Sequence, residues 1–408
     1  MGKNRRPHIG IFGRRNNGKS SLINALSGQD IAIVSNFAGT TTDPVKKVME
    51  IPGIGPVVLI DTAGIDDTGE LGALRIKKSF KTIKHIDLGI IVTKGNEFDI
   101  YEEDLIERFK KLKTPFIIVH NRSDEILMKN SFSQKISERF GTEPIQFSAI
   151  FPKNREELIR KIKKSTPESS FKSKSILGDI VKYGDIVILV TPIDIEAPEG
   201  RLILPQVQTI RDLLDNDCIA VVVKERELDL FLKQLKNPPA LVVTDSQEFL
   251  KVGGTVPNSI PLTSFSILLA RLKGDFDKFL EGTPYIDKLK DGDNVLILES
   301  CTHHVSCDDI GRVKIPRWLS SFTGKKLNFD VVSGLDDIEK PIEEYSLVVQ
   351  CGGCVITDKQ LQNRLKPAID KGIPVSNYGM AISYCHGIFK RAIKPFSLNK
   401  TDDISEYL

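Results

Sequence analysis

The sequence predicts an α/β protein of three domains built on mainly parallel sheets. Short apolar runs of strand length alternate with helix-patterned stretches along nearly the whole chain, which is the order of βαβ units. The 408 residues exceed what one core serves and suit two or three domains. A polar, proline-interrupted stretch over residues 165–175 reads as a linker between a first block and the rest.

In the first block, residues 1–165, strands are expected at His8–Phe12, Val57–Ile60, Leu88–Val92, Phe116–His120 and Pro144–Phe147. The second block, residues 177–263, starts with a strand at Asp185–Val190. A helix at Pro205–Leu214, a strand at Ile219–Val223, a helix at Leu228–Leu235 and a strand at Ala240–Thr244 follow. The third block is set at residues 264–408, although Ser264–Leu280 suits either side of the boundary. Its strands are Asn294–Leu298, Leu327–Val332, Ser346–Val349 and Ile373–Asn377. No repeat recurs at solenoid spacing.

Composition narrows the function classes. Hydrophobic residues make up 40% and charged residues 27%, which excludes fibrous and largely disordered chains. Basic residues number 57 against 54 acidic, a net charge of +3 too balanced for a dedicated nucleic-acid binder. No apolar run reaches the roughly 18–20 residues that cross a bilayer, so no membrane partner is expected. Six cysteines make no disulfide scaffold, and no signal peptide is evident, so the expected compartment is the reducing cytoplasm.

Gly13-Arg-Arg-Asn-Asn-Gly-Lys-Ser20 fits G-x-x-x-x-G-K-S/T and sits between the run His8–Phe12 and the helix-patterned Ser21–Leu26. A strand, glycine-rich turn and helix lets backbone N–H groups wrap phosphates at a helix N-terminus. The phosphate-binding set is Gly13, Asn16, Asn17, Gly18, Lys19, Ser20 and Ser21. Lys19 would reach the β- and γ-phosphates and Ser20 would ligate Mg²⁺. Asp61-Thr-Ala-Gly64 follows a strand, so Asp61 can hold Mg²⁺ and Gly64 can offer its N–H to the γ-phosphate. Asn121-Arg-Ser-Asp124 follows another. A carboxylate at Asp124 accepts from guanine N1 and N2 but faces only an acceptor on adenine, which favours GTP over ATP. Ser148-Ala149 follows the next strand, with the Ala149 N–H available to guanine O6.

These four strings in this order resemble a translation-factor-type GTPase, and a P-loop GTPase domain is the fold that the resemblance implies. Thr41, in Gly39-Thr-Thr-Thr-Asp43, resembles the Mg²⁺-completing threonine in the switch of tRNA-modification GTPases, with Thr40 as rival. Asn16 stands where potassium-activated GTPases of this group carry a metal-ligating asparagine, so K⁺ is an expected cofactor. Ile65 stands where Ras-type enzymes orient water with glutamine, so unaided hydrolysis is expected to be slow. Arg122 replaces the usual lysine of Asn-Lys-x-Asp.

A second constellation lies in the last third. Cys301-Thr-His303 follows the strand at Asn294–Leu298, and Cys351-Gly-Gly-Cys354 follows the strand at Ser346–Val349. If both strands are parallel members of one sheet, both motifs lie at its carboxyl edge, where open α/β sheets bind ligands. The 47 residues between His303 and Cys351 allow a crossover helix and another strand. The spacing admits a Cys₃His zinc site, an iron–sulfur cluster, or a redox Cys-x-x-Cys that leaves Cys301 and His303 unused. Cys218 reads as a buried core residue inside a strand; Cys307 and Cys385-His386 read as structural, although Cys385 follows the last strand's helix and could approach the same edge.

The combination resembles the [FeFe]-hydrogenase maturation GTPases, the HydF family, over the whole chain. Ala197-Pro-Glu-Gly-Arg-Leu-Ile-Leu-Pro-Gln206 also resembles that family. The family's pattern is Cys-x-His followed at a distance by His-Cys-x-x-Cys; here Gln350 stands at the second histidine. The resemblance implies a [4Fe–4S] cluster on Cys301, Cys351 and Cys354, with His303 a candidate fourth ligand. It implies a scaffold or carrier that passes the diiron subcluster to apo-[FeFe]-hydrogenase, with radical SAM maturases upstream and dimerisation through the middle domain, so a homodimer or higher oligomer is expected. The alternative is a tRNA-modification or ribosome-assembly GTPase with a structural zinc.

Overall fold

A computed structural model describes residues 6–27, 44–67, 69–152, 154–171, 174–192, 202–300 and 309–396. They divide into two compact units, one ending at Ser173 and one beginning at Lys174.

The first unit is built on six strands in the order β2-β3-β1-β4-β5-β6. They are β1 His8–Gly13, β2 Val45–Ile51, β3 Gly55–Asp61, β4 Leu88–Thr93, β5 Phe116–His120 and β6 Ile145–Gln146. All pair in parallel except β2, which runs antiparallel to β3. The central strands carry near-continuous aliphatic runs because helices cover both faces. One core cluster includes Ile9, Ile11, Leu22 and Leu59, and a second includes Phe12, Ile60, Ile91 and Phe109. Strand β2 was not expected. It is an edge strand in which only Met49 and Ile51 are buried, while Lys46, Lys47 and Glu50 dilute the apolar signal.

His120 closes β5 fully buried, its ring edge-on to Phe132 with centroids 5.7 Å apart. Neither ring nitrogen has a hydrogen-bond partner among the described residues. Burial holds its pKa below the ordinary value, so the folded state keeps the ring neutral. Below about pH 6.5 the unfolded chain therefore binds the extra proton first, and stability falls with pH. His120→Phe keeps the ring's shape and removes the unsatisfied nitrogens, each costing about 1–3 kcal/mol. We expect a raised thermal midpoint for the first unit, with a gain that grows as pH drops. A midpoint unchanged at every pH would contradict this account.

The second unit holds two four-stranded, all-parallel sheets. The first comprises β7 Ile186–Val190, β8 Ile219–Val223, β9 Leu241–Thr244 and β10 Leu262–Ser264, in the order β10-β9-β7-β8. The second comprises β11 Asn294–Leu298, β12 Asn328–Val332, β13 Leu347–Gln350 and β14 Val375–Asn377, in the order β12-β11-β13-β14. Counted within each sheet, both orders are 2-1-3-4. In each the direction of winding reverses between the first and third strands, which opens a crevice at their carboxyl ends. Strand β10 was also unexpected, because Leu-Thr-Ser is too short to carry a pattern. It runs straight into the helix Phe265–Lys273, whose first turn is capped by the Ser264 hydroxyl accepting from the Ile267 N–H at 3.3 Å. One hydrophobic cluster spans both sheets, from Ile188 and Val242 to Val295 and Val349. Cys218 is buried, as expected of a core residue, but it precedes β8 rather than lying inside it. No helix among the described residues is long and apolar enough to cross a membrane.

Candidate functional site

The phosphate-binding loop lies between β1 and the helix Lys19–Ser27. Gly13, Asn16 and Gly18 have φ of 148°, 60° and 82°, the left-handed geometry that curls successive N–H groups toward one centre. The Lys19 ammonium donates to the carbonyls of Gly13 and Arg14, both at 2.9 Å. Burial lowers its pKa, and the nearby Asp61, Asp66 and Asp67 oppose that shift. Ser20 Oγ donates to Asp61 Oδ2 at 2.9 Å, while Asp61 Oδ1 is buried without a hydrogen-bond partner among the described residues. Burial raises the Asp61 carboxyl pKa, partly offset by Ser20 and Lys19. A serine oxygen beside an orphaned carboxylate oxygen is a hard donor pair that fits Mg²⁺.

Gly64 brings the Asp-Thr-Ala-Gly turn against this loop. A Cβ there would lie 2.5 Å from Arg15 Cγ and 3.0 Å from the Arg15 nitrogen. Ile65 is 2% exposed, its side chain in the core and unavailable to water. Asn17 anchors the loop by donating to the Val92 carbonyl at 2.8 Å. Fully buried Asn121 donates to the carbonyls of Asn17 at 2.9 Å and Gly18 at 3.3 Å. Ser148 donates to exposed Asp124, and Ala149 follows half-buried. Arg122, with φ of 55°, donates to Glu125 at 2.9 Å. Asn16 and Ser21 are exposed. Thr41 lies outside the described residues.

A further pair in this site carries no sequence signal. Arg14 and Glu102 are 88 residues apart and form two parallel hydrogen bonds of 2.8 Å. Arg14 also meets Asp99 at 2.6 Å. Glu102 is fully buried and accepts the N–H of Asp99, the N-cap of the helix Ile100–Lys111, at 3.1 Å. The pair therefore ties the phosphate loop to that helix terminus. Glu102→Ala should cost about 2–3 kcal/mol, because it removes the two charge-assisted hydrogen bonds of the buried carboxylate and leaves the guanidinium to exposed Asp99. The double replacement Arg14→Met with Glu102→Leu should cost much less. Denaturant unfolding of the first unit checks both; a single-variant loss under about 1 kcal/mol would mean the pair behaves as a surface one.

In the second unit, β11 leads into Glu299 and Ser300, and the adjacent parallel β13 leads into Cys351-Gly-Gly-Cys354. Both therefore reach the carboxyl edge at the point where the strand order reverses, the edge expected for the Cys351-Gly-Gly-Cys354 loop. Cys351 Sγ receives the Ser300 N–H at 3.1 Å and Gln350 Nε2 at 3.3 Å. Gly353 adopts φ of 65°, and a Cβ there would meet Leu361 Cδ1 at 2.5 Å. Burial pushes the Cys354 thiol up, neighbouring Cys351 adds to that, and Lys273 opposes it. Glu299 is buried; its Oε2 accepts from Arg312 and Ser333, and its Oε1 has no hydrogen-bond partner among the described residues. N–H donors on a cysteine sulfur fit a thiolate-bound metal. Cys301, His303 and Cys307 lie outside the described residues. Among those described, no group of three or more His, Cys, Asp or Glu is gathered to hold a metal ion. Burial raises the Cys385 thiol to about 12, in keeping with a structural residue.

Fold and loop geometry together define a P-loop GTPase domain joined to a unit of two parallel sheets. Residues 8–122 match the family model described as 50S ribosome-binding GTPase. Residues 176–274 match the hydrogen maturase F dimerization domain, and residues 277–395 the hydrogen maturase F tetramerization domain. These last two span more than half of the chain, which belongs to the HydF family of hydrogenase maturation GTPases.

Among similar proteins, GTPase Era of Caldicellulosiruptor saccharolyticus is 34% identical over 170 residues, covering 39% of this chain and 55% of its own. The tRNA modification GTPase MnmE of Hydrogenovibrio crunogenus is 36% identical over 140 residues, covering 34% of this chain and 30% of its own. The chain thus spans about half or less of these relatives' lengths. The solved structure of Aquifex aeolicus Era matches with a TM-score of 0.36 at 20% identity, covering 56% of this chain and 98% of that one. The G domain of T. maritima FeoB matches with a TM-score of 0.32 at 23% identity, covering 39% and 98%.

Proposed function

We propose that this chain is a slow, potassium-stimulated GTP hydrolase that carries a [4Fe–4S] cluster and delivers the diiron subcluster precursor to apo-[FeFe]-hydrogenase. The observation that carries the reading is the convergence of the β11 end and the Cys-Gly-Gly-Cys loop at one sheet edge inside a hydrogen maturase F domain. Its domains are residues 1–165 for GTP, 177–263 for dimerisation and 264–408 for the cluster. The matched dimerization and tetramerization domains support an oligomer. Radical SAM maturases are the upstream partners.

In this reading Lys19 faces the β- and γ-phosphates, and Gly64 offers its N–H to the γ-phosphate. Ser20, Asp61 and Thr41 surround Mg²⁺, and Asn16 contacts K⁺. Asp124 reads guanine N1 and N2, and the Ala149 N–H reads O6. Buried Ile65 leaves the attacking water without a side chain to orient it, hence the slow rate. Cys301, Cys351 and Cys354 hold three irons, and His303 or Glu299 stands by the fourth. When bound, the cluster supplies an iron without a cysteine ligand, where an incoming group attaches.

Two measurements test the reading. Anaerobically purified protein should be brown and contain iron and sulfide. Colourless zinc protein would instead support the tRNA-modification or ribosome-assembly alternative, in which the metal is structural. GTP turnover should exceed ATP turnover and run faster in K⁺ than in Na⁺. Identical rates in the two salts, unchanged in Asn16→Ala, would remove potassium from the account.

A further inference from the structure

The helix Phe265–Lys273 leaves β10 of the first sheet and lies along the Cys-Gly-Gly-Cys loop of the second. Ser266, Leu269 and Lys273 share one helical face, at spacings of three and four. Two of them border Gly352, where a Cβ would come within 3.5 Å of Leu269 Cδ1 and 3.8 Å of Ser266 Cα. The third, Lys273, is only 6% exposed. Its Nζ donates to the carbonyls of Gly353 at 2.7 Å, Ile356 at 2.9 Å and Cys354 at 3.4 Å. Three acceptors around one nitrogen match the three donors of an ammonium.

Burying a charge here is costly, and a leucine or methionine would fill the same helix position without that cost. The carbonyls satisfy the donors but do not neutralise the charge. Half-buried Asp358, at the start of the helix Asp358–Asp370, is the nearby carboxylate: burial raises its pKa, and Lys273 opposes that shift. Two thiolates on this loop, and a cluster bound to them, would supply countercharge.

We propose that Lys273 is the positioning residue of the cluster loop. Its ammonium gathers the carbonyls of Gly353, Cys354 and Ile356 so that both cysteines face the sheet edge, and it keeps a positive charge beside the cluster. Lys273 lies in the segment matched by the dimerization domain, while the loop lies in the tetramerization domain. The contact therefore makes the cluster loop depend on the last helix of the matched dimerization segment.

This inference rests on the cluster reading, and the test separates the two. The full-length protein is loaded with iron and sulfide anaerobically, and iron content and the EPR-monitored reduction potential are measured for wild type, Lys273→Gln and Lys273→Arg. Removing a nearby positive charge disfavours the more negative reduced cluster. Lys273→Gln should therefore lose iron several-fold or shift the reduced-to-oxidised ratio at least tenfold toward oxidised, about 59 mV for one electron. Lys273→Arg keeps the charge though not the ammonium's size, so the cluster it loads should hold the wild-type potential even where loading is lower. Full iron at wild-type potential in Lys273→Gln overturns the inference alone. If Lys273→Gln does not fold, Lys273→Arg decides. A loaded cluster at wild-type potential supports the role; a lowered potential, or a folded protein that loads no cluster, overturns it. Wild-type protein that takes up no iron overturns the cluster reading and this inference with it.

Discussion

Cys351→Ser and Cys354→Ser should each reduce the iron of anaerobically reconstituted protein from about four atoms per chain to a small residue. A serine hydroxyl is a far poorer ligand to iron than a thiolate. At Cys351 the change also removes the sulfur on which the Ser300 N–H and Gln350 Nε2 converge. Cys218→Ser and Cys385→Ser provide the contrast, since those thiols belong to the packing of the second unit. The check is iron and acid-labile sulfide, together with EPR of the reduced variants. Undiminished iron in Cys351→Ser would move the metal away from the Cys-Gly-Gly-Cys loop. Guanine nucleotide affinity, measured on the same samples, should stay at the wild-type value because the phosphate loop belongs to the other compact unit.

Lys19→Ala should weaken guanine nucleotide binding by about 2–5 kcal/mol, or roughly 30- to 5,000-fold. The ammonium is held by the Gly13 and Arg14 carbonyls at the inner curve of the loop, so it needs little reorganisation to meet phosphate oxygens. Its removal leaves those oxygens with backbone donors alone. Lys19→Arg should not restore affinity, because the planar guanidinium is wider than the ammonium the loop encloses. A fluorescent guanine nucleotide titration at fixed Mg²⁺ and salt measures the loss. Affinity within a few-fold of wild type would show that Lys19 does not face the phosphates.

Much of this was legible in the sequence, because the information is local. The span Gly13–Ser20 contains the loop, its glycines and its lysine in contiguous residues, and a strand and a helix border it on either side. The strands β7, β9, β11 and β13 announced themselves as aliphatic runs because helices bury them, while β8 and β12 carry apolar runs at half-exposed sheet edges. The fate of Cys351 and Cys354 was also readable, since a loop after a parallel strand lands on the carboxyl edge wherever that strand sits.

Tertiary structure alone decided the rest. β2 and β10 draw their identity from the neighbours they pair with, since one is largely solvated and the other spans three residues. The common 2-1-3-4 order of the two sheets is a property of strand pairing, and different side chains satisfy it equally well. Arg14 with Glu102 and Lys273 with the Gly353 carbonyl join residues 88 and 80 positions apart. On paper, Arg14 is one of several basic residues near a glycine-rich loop, and Lys273 is one of many lysines ending a helix. What distinguishes them is burial, and burial is set only when distant segments close over a charge and the chain must answer it with partners.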